Sequence, residues 1–387
     1  MSGDAGDELA EGILGTTNYE APTPSKKAFL PWHKPRKQYV RDEQWCAEIE
    51  KMLDDGAGLM LGEKVLTYCG LPGSDLLDLR RFHEIICAPK SLGLRFLGFN
   101  SAAAPDSKDQ IELNISFDEI MKLDFVDKAS EVIQDDFRTI ADTKSMGYGK
   151  FAQFGPFDVV NLDLCDSFGA AQAGLFNDNY YNAMQQAMAI QARRKMPWLL
   201  LLTTRVGKNH VHVDTLDKFR DRYAKNLKDC KSFRDESTTA FNIGDEKTLA
   251  AALSTASGLH CVFLTGICKW LLALSIGHKS SLDVRSVLGY RVVKGAAMTD
   301  LVSLAVRFTP LAIPATDAMN LSKVTVTFPD ECTMSVDALK SVAAHRDVDD
   351  LLAKDKVLRD LVTANMAALL EQARYDPNAF ASWAAQT

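Results

Sequence analysis

The residues of this chain that could do chemistry fall in small polar or glycine-rich clusters, each placed directly after a short apolar run. They are Gly70-Leu71-Pro72-Gly73, Asn100, Asp135-Asp136-Phe137, and the stretch from Asp163 to Asp166. Glycines at the first cluster would let a backbone approach a ligand where a side chain would block it. The same spacing also suits a tight strand-to-helix turn with no ligand. Asp135 and Asp136 could hold a ligand or cap the helix behind them. His210 and His212, with Asp214 nearby, could pair on a metal, although loop histidines without that role are commoner. Cys165 beside Asp163 could act as a nucleophile, but with no basic partner near it in sequence it reads better as a small hydrophobe.

A fifth cluster is electrostatic. Lys34, Arg36, Lys37 and Arg41 belong to a stretch, 26–41, that has no acidic residue and is interleaved with Phe29, Trp32, His33 and Tyr39. Basic side chains alternating with aromatics can follow a phosphate backbone while stacking on bases, so DNA or RNA is an expected partner. The alternative is a lead-in whose Phe29 and Trp32 pack on the sheet.

The apolar runs that precede the clusters, 65–73, 94–100, 131–137, 157–169 and 198–204, are short and separated by helical periodicity. That pattern predicts parallel strands buried on both faces of a doubly wound α/β sheet, with ligands at the carboxyl ends of the strands. A long helical insertion is expected over 206–281, because the gap is too long for an ordinary connection. The runs 287–293 and 301–308, joined through Lys294-Gly295-Ala296, are too close in sequence for a parallel crossover and predict an antiparallel closing hairpin. Residues 311–387 read as a mostly helical C-terminal extension, which could meet protein partners. The resulting division is an arm over 1–41, an α/β domain over 42–310, and that extension.

Composition sets further bounds. Forty-four basic and 51 acidic side chains give a net charge of −7, which excludes a uniformly basic surface but not a local basic site. Eight scattered cysteines without a CxxC pair suit a reducing compartment better than a disulfide framework. The first twenty residues carry five acids and no base, unlike a secretory signal. A cytoplasmic chain without a membrane span is expected. No P-loop, HExxH or GxSxG motif occurs.

Five parallel strands closed by a hairpin resemble the class I S-adenosylmethionine-dependent methyltransferases, a Rossmann-like family, over residues 64–310. The resemblance implies a methyl donor held by Tyr68, Gly70, Pro72 and Gly73 at the first tip, with Asn100 on the ribose and Asp135, Asp136 and Phe137 on the adenine. The chain departs from the family in having Thr67-Tyr68 where an acid usually precedes the glycines, GxxG for GxG, and Asn100 where an acid is usual. The segment Asn161-Leu162-Asp163-Leu164-Cys165-Asp166-Ser167-Phe168-Gly169 is similar to the acceptor motif of tRNA guanine N2-methyltransferases, without its proline. It implies Asp163 and Asp166 as catalytic residues orienting an acceptor amine, most readily a nucleic-acid base. The departures leave a second reading, a domain that no longer transfers methyl groups and serves as a binding or assembly module in a multi-subunit bacterial system.

Overall fold

A computed structural model describes residues 27–55, 64–101, 107–172, 179–293, 295–296, 298–312, 319, 321 and 330–385. One sheet of eight strands runs through them in the order β3-β2-β1-β4-β5-β7-β6-β8. The first five, β1 (Val65–Gly70), β2 (Gly93–Phe99), β3 (Glu131–Ile133), β4 (Val159–Asp163) and β5 (Trp198–Arg205), are mutually parallel. Then β6 (Ser280–Tyr290) and β7 (Leu301–Pro310) form the antiparallel hairpin, with β7 inserted between β5 and β6. A two-residue strand, β8 (Arg346–Asp347), pairs parallel to β6 at the outer edge. The fold is therefore the mainly parallel, Rossmann-like sheet with an antiparallel closing hairpin that the sequence predicts.

Alternation along each strand feeds two cores. Leu200, Leu202, Val302, Leu304 and Phe308 face one side, while Leu199, Leu201, Tyr68, Leu66 and Phe96 face the other. Successive side chains of a strand point to opposite faces, so a strand apolar at every position must be covered twice. On the first side lie α5 (Met146–Phe154), α6 (Tyr180–Gln191) and α10 (Ala256–Gly277). α10 is long and apolar enough to cross a membrane, yet 72% of its apolar window is buried inside this structure, with Phe263, Leu264, Ile267 and Leu271 in the first core. It belongs to the helical insertion, with α7 (Val213–Asp229), α8 (Lys231–Phe241) and α9 (Glu246–Leu253) before it.

On the second side lie α1 (Pro35–Val40), a π-helical turn (Arg41–Cys46) and α2 (Ala47–Asp54), with α3 (Leu77–Phe82) and α4 (Lys108–Met121). The widened turn puts both Gln44 and Trp45 inward. Gln44 Nε2 donates to Ser286 Oγ at 2.8 Å and to the Ser303 carbonyl at 3.0 Å, and Trp45 Nε1 donates to Ser303 Oγ at 3.2 Å. The N-terminal helix thus donates to a polar seam on the sheet, while the buried Gln44 Oε1 has no hydrogen-bond partner among the described residues. The C-terminal extension contributes α11 (Glu331–Ala343), α12 (Val348–Lys354), α13 (Lys356–Gln372) and α14 (Pro377–Ala385).

Three expectations are corrected. A disulfide joins Cys230 to Cys332, with their Cα atoms 5.8 Å apart, where sequence gave no pairing. Ser74 and Asp75, capping residue types just before the apolar stretch 76–82, read from sequence as the cap of the helix after β1, but its N-cap is Leu76, in the left-handed conformation at φ 51°, and Asp75 is engaged elsewhere. β6 starts at Ser280, seven residues before the apolar run, because its outer half has a solvent-facing side carrying Asp283 and Arg285 and a bulge between Val284 and Ser286. Asn177 and Asp178, the capping residue types that sequence places before this helix, lie outside the described residues; Asn179 caps α6, accepting from Asn182 N at 2.9 Å.

Candidate functional site at the strand tips

Strand order reverses between β1 and β4, which opens the crevice where such sheets bind ligands. All but one of the predicted donor residues are already engaged there. Tyr68 is buried, its ring set edge-on to Phe82 at 5.3 Å, and it fills the space that a side chain at Gly70 would need. Gly70 is therefore required by its own neighbour. Pro72 packs against Gly98, where an added Cβ would lie 2.8 Å from Pro72 Cγ, and the Pro72 carbonyl accepts from Asn100 Nδ2 at 3.0 Å. Asn100 thus pins the turn. Asp75 fastens the same turn to both chain extensions, accepting from Lys27 Nζ and from the Tyr375 hydroxyl, each at 2.8 Å.

At the third tip Asp135 accepts from Asp136 N at 2.8 Å and from Thr139 Oγ1 at 3.1 Å. Asp136 caps the 3-10 turn Phe137–Ala141 through Arg138 N and also pairs with the Arg138 guanidinium at 2.7 Å. Burial raises the Asp136 carboxyl, but the Arg138 hydrogen bonds outweigh it and hold the group below the usual carboxylate range. Phe137 is a core residue between Phe99 and Phe151, with ring centroids 5.6 and 6.0 Å away.

The fourth tip holds the decisive contact. Asp163 ends β4, and its Oδ1 lies 2.5 Å from Lys37 Nζ, which reaches in from α1. The same ammonium lies 3.4 Å from the Tyr290 hydroxyl and 4.2 Å from the centroid of the Trp45 ring, a cation–π arrangement. Burial lowers the Lys37 pKa, with Asp163 opposing. Tyr68 on β1 and Asn161, two residues before Asp163 on β4, are both buried, and neither the Tyr68 hydroxyl nor the Asn161 amide has a hydrogen-bond partner among the described residues. Asp166 does not join them. Its side chain is 70% exposed, its Oδ1 accepts from Ser167 N at 2.8 Å, and His210 Nδ1 lies 3.6 Å away. His212 caps α7, and burial pushes the Cys165 thiol up, away from nucleophile behaviour.

The basic stretch is corrected from a solvated arm to an interior element. Lys37 and Arg41 are both 3% exposed; Arg41 pairs with Asp78 at 2.6 Å. Arg36 pairs with Asp349 at 3.0 Å and donates to the Arg291 carbonyl, and Lys34 lies 3.3 Å from the centroid of the Trp383 ring. Burial lowers the Lys34 pKa to about 8. Phe29 packs on Tyr375, Phe380 and Trp383 of the C-terminal region, not on the sheet. Sequence carried one hint of this: the cations at 37 and 41 share i, i+4 spacing with Trp45 and Ile49, which makes one inward face.

A family model matches residues 26–385, nearly the whole chain. The chain belongs to the PP_RS20740-like family. No curated protein matches the sequence. Among solved structures, a protein from Listeria monocytogenes assigned to the class I S-adenosylmethionine-dependent methyltransferases matches at TM-score 0.36 and 8% identity, covering 74% of this chain and 64% of that one. The DszA carbon methyltransferase matches at TM-score 0.33 and 12% identity, covering 70% and 53%. The matched part is less than two thirds of either of those chains, and the fold assignment rests on the strand order itself.

The residues present do not fit S-adenosylmethionine in the way the resemblance implies. Asn100, Asp135 and Asp136 spend their polar groups on local backbone and side-chain partners, and Tyr68 and Phe137 are core. Only Gly73 stands open, with no heavy atom within 4 Å of an added Cβ. Gly73→Ala should therefore change stability by less than about 0.5 kcal/mol. Gly98→Ala should cost about 1–3 kcal/mol by driving Pro72 out of place. Urea unfolding of the two variants checks the contrast.

Proposed function

We propose that this chain is a methyltransferase-fold binding or assembly module in which the acceptor side of the crevice is occupied by the chain's own Lys37. The Lys37–Asp163 pair carries the reading: the carboxylate that would orient an acceptor amine already holds an internal one. An amine that enters must displace a buried ammonium that Asp163, Tyr290 and Trp45 all contact. Partner chains would meet the C-terminal helices, where Val357 and Leu361, one helical turn apart on α13, are 80% and 56% exposed.

A second reading is favoured by two observations: Gly73 is open, and the Asp163 side chain keeps 22% of its surface exposed. Under it the crevice takes S-adenosylmethionine and transfers its methyl group to a nucleic-acid amine. Calorimetry with S-adenosylmethionine and its demethylated product, followed by tritiated donor in a cell extract, separates the two. The module reading expects no heat at millimolar ligand and no label in DNA, RNA or protein. Label incorporated by the unmutated chain and lost with Asp163→Asn establishes the enzyme instead.

A further inference from the structure

We infer that Cys230 and Cys332 form an exchangeable redox latch that fastens the start of α11 to the helical insertion. Cys230 stands at the junction of α7 and α8, as the N-cap of α8, and its Sγ accepts from Phe233 N at 3.3 Å. Cys332 is the second residue of α11. Cys332 therefore lies in the first turn of a helix, where unpaired N–H groups and the helix dipole stabilise a thiolate, whereas Cys230 is at once the C-cap of α7 and the N-cap of α8 and has the Phe233 N–H contact as its support. The Ser232 hydroxyl lies 3.4 Å from one sulfur and 3.3 Å from the other, so one donor can serve whichever sulfur leaves. The acids nearest Cys332 are Asp330, which caps α11, and Glu331, which is paired with Lys269 at 2.6 Å.

The remaining cysteines are poor competitors. Cys46, Cys69, Cys87 and Cys268 are buried, and burial raises the thiol pKa of each of them and of Cys165 and Cys261. Cys332 is half-buried and so open to a small oxidant; Cys165 is more exposed still, but it is a free cysteine joined to no other. The oxidant required is a low-molecular-weight disulfide. The Cys332 thiolate attacks one of its sulfurs and expels a thiolate; the Cys230 thiolate then attacks Cys332 Sγ in the mixed disulfide and expels the second. Two protein thiols and one small disulfide become one protein disulfide and two small thiols, the two protons passing to the expelled thiolates.

The bond closes a loop of 102 residues and holds the first turn of α11 beside two other contacts, Lys269 with Glu331 and Ser335, and the packing of Met334 and Val336. Reduction removes one of the three, and the first turns of α11 open more often.

The test uses the full chain equilibrated in glutathione buffers of graded composition, with alkylation and mass mapping of every cysteine and hydrogen exchange of residues 330–343. Cys230 and Cys332 are expected to change state together and before any other thiol, with exchange of 330–343 roughly tenfold faster in the reduced chain. Cys332→Ser should show the fast exchange in both buffers, and Ser232→Ala should slow disulfide exchange without altering the oxidised fold. A pair that stays reduced throughout, Cys165 oxidising first, or equal exchange of 330–343 in both states overturns the latch.

Discussion

A chain lacking residues 1–41 is expected to lose its cooperative thermal transition, or to melt far below the intact protein. The deletion removes Tyr39 and Val40 from the second core, at about 1.5–3 kcal/mol each for side chains of this kind. It also strips Asp78 and Asp163 of Arg41 and Lys37, and Asp75 of Lys27. Uncovering a core and unpairing buried carboxylates together approaches the whole stability of an ordinary domain, about 5–15 kcal/mol. A free arm predicts the opposite: an unchanged melting temperature and a flatter salt dependence of nucleic-acid binding. Differential scanning calorimetry with near-ultraviolet circular dichroism distinguishes them, and a truncated chain that melts like the intact one would restore the arm.

Asp163→Ala is expected to destabilise the fold by about 3–5 kcal/mol near neutral pH, because it leaves the Lys37 ammonium, 3% exposed, without its counter-ion. The pH dependence identifies the cause. Burial already lowers the Lys37 pKa in the folded chain against the partial support of Asp163, so removing Asp163 lowers it further. The folded state then binds fewer protons than the unfolded state between that depressed value and the ordinary lysine value near 10.4. Stability therefore rises with pH across this window, more steeply in Asp163→Ala than in the parent. Urea midpoints from about pH 7 to about pH 10 check it. The double variant Lys37→Met/Asp163→Leu, with both charges gone, should recover to within about 1–2 kcal/mol of the parent. A single variant whose deficit is independent of pH would remove the buried ammonium as the cause.

Arg194→Met belongs to the same class. Asp158 accepts from Thr67 N and Oγ1, both at 2.6 Å, and from Arg194 Nη2 at 2.8 Å, and it is almost wholly buried. Loss of the guanidinium should cost about 3–5 kcal/mol and should be read by urea unfolding.

Periodicity and spacing alone made the sheet legible. Runs such as 198–202, apolar at every position, could be buried only by covering both faces, and the seven residues 294–300 between the runs 287–293 and 301–308 permitted only a hairpin. Local chemistry also placed the tips: Gly70, Asn100, Asp135 and Asp163 all stand at or just past strand ends. What those tips do was decided by contacts between residues far apart in the chain. Asp163 meets Lys37 across 126 positions and Asp75 meets Tyr375 across 300, and no local pattern encodes either meeting. The cations at 34–41 show the limit plainly. A run of bases without acids looks solvated when read locally, because its partners Asp78, Asp163 and Asp349 come from three other parts of the chain. Charge pairing acts through space, whereas sequence displays only what lies next to what; strands are set by their neighbours, and the occupant of the crevice is set by the packing of α1 over the sheet.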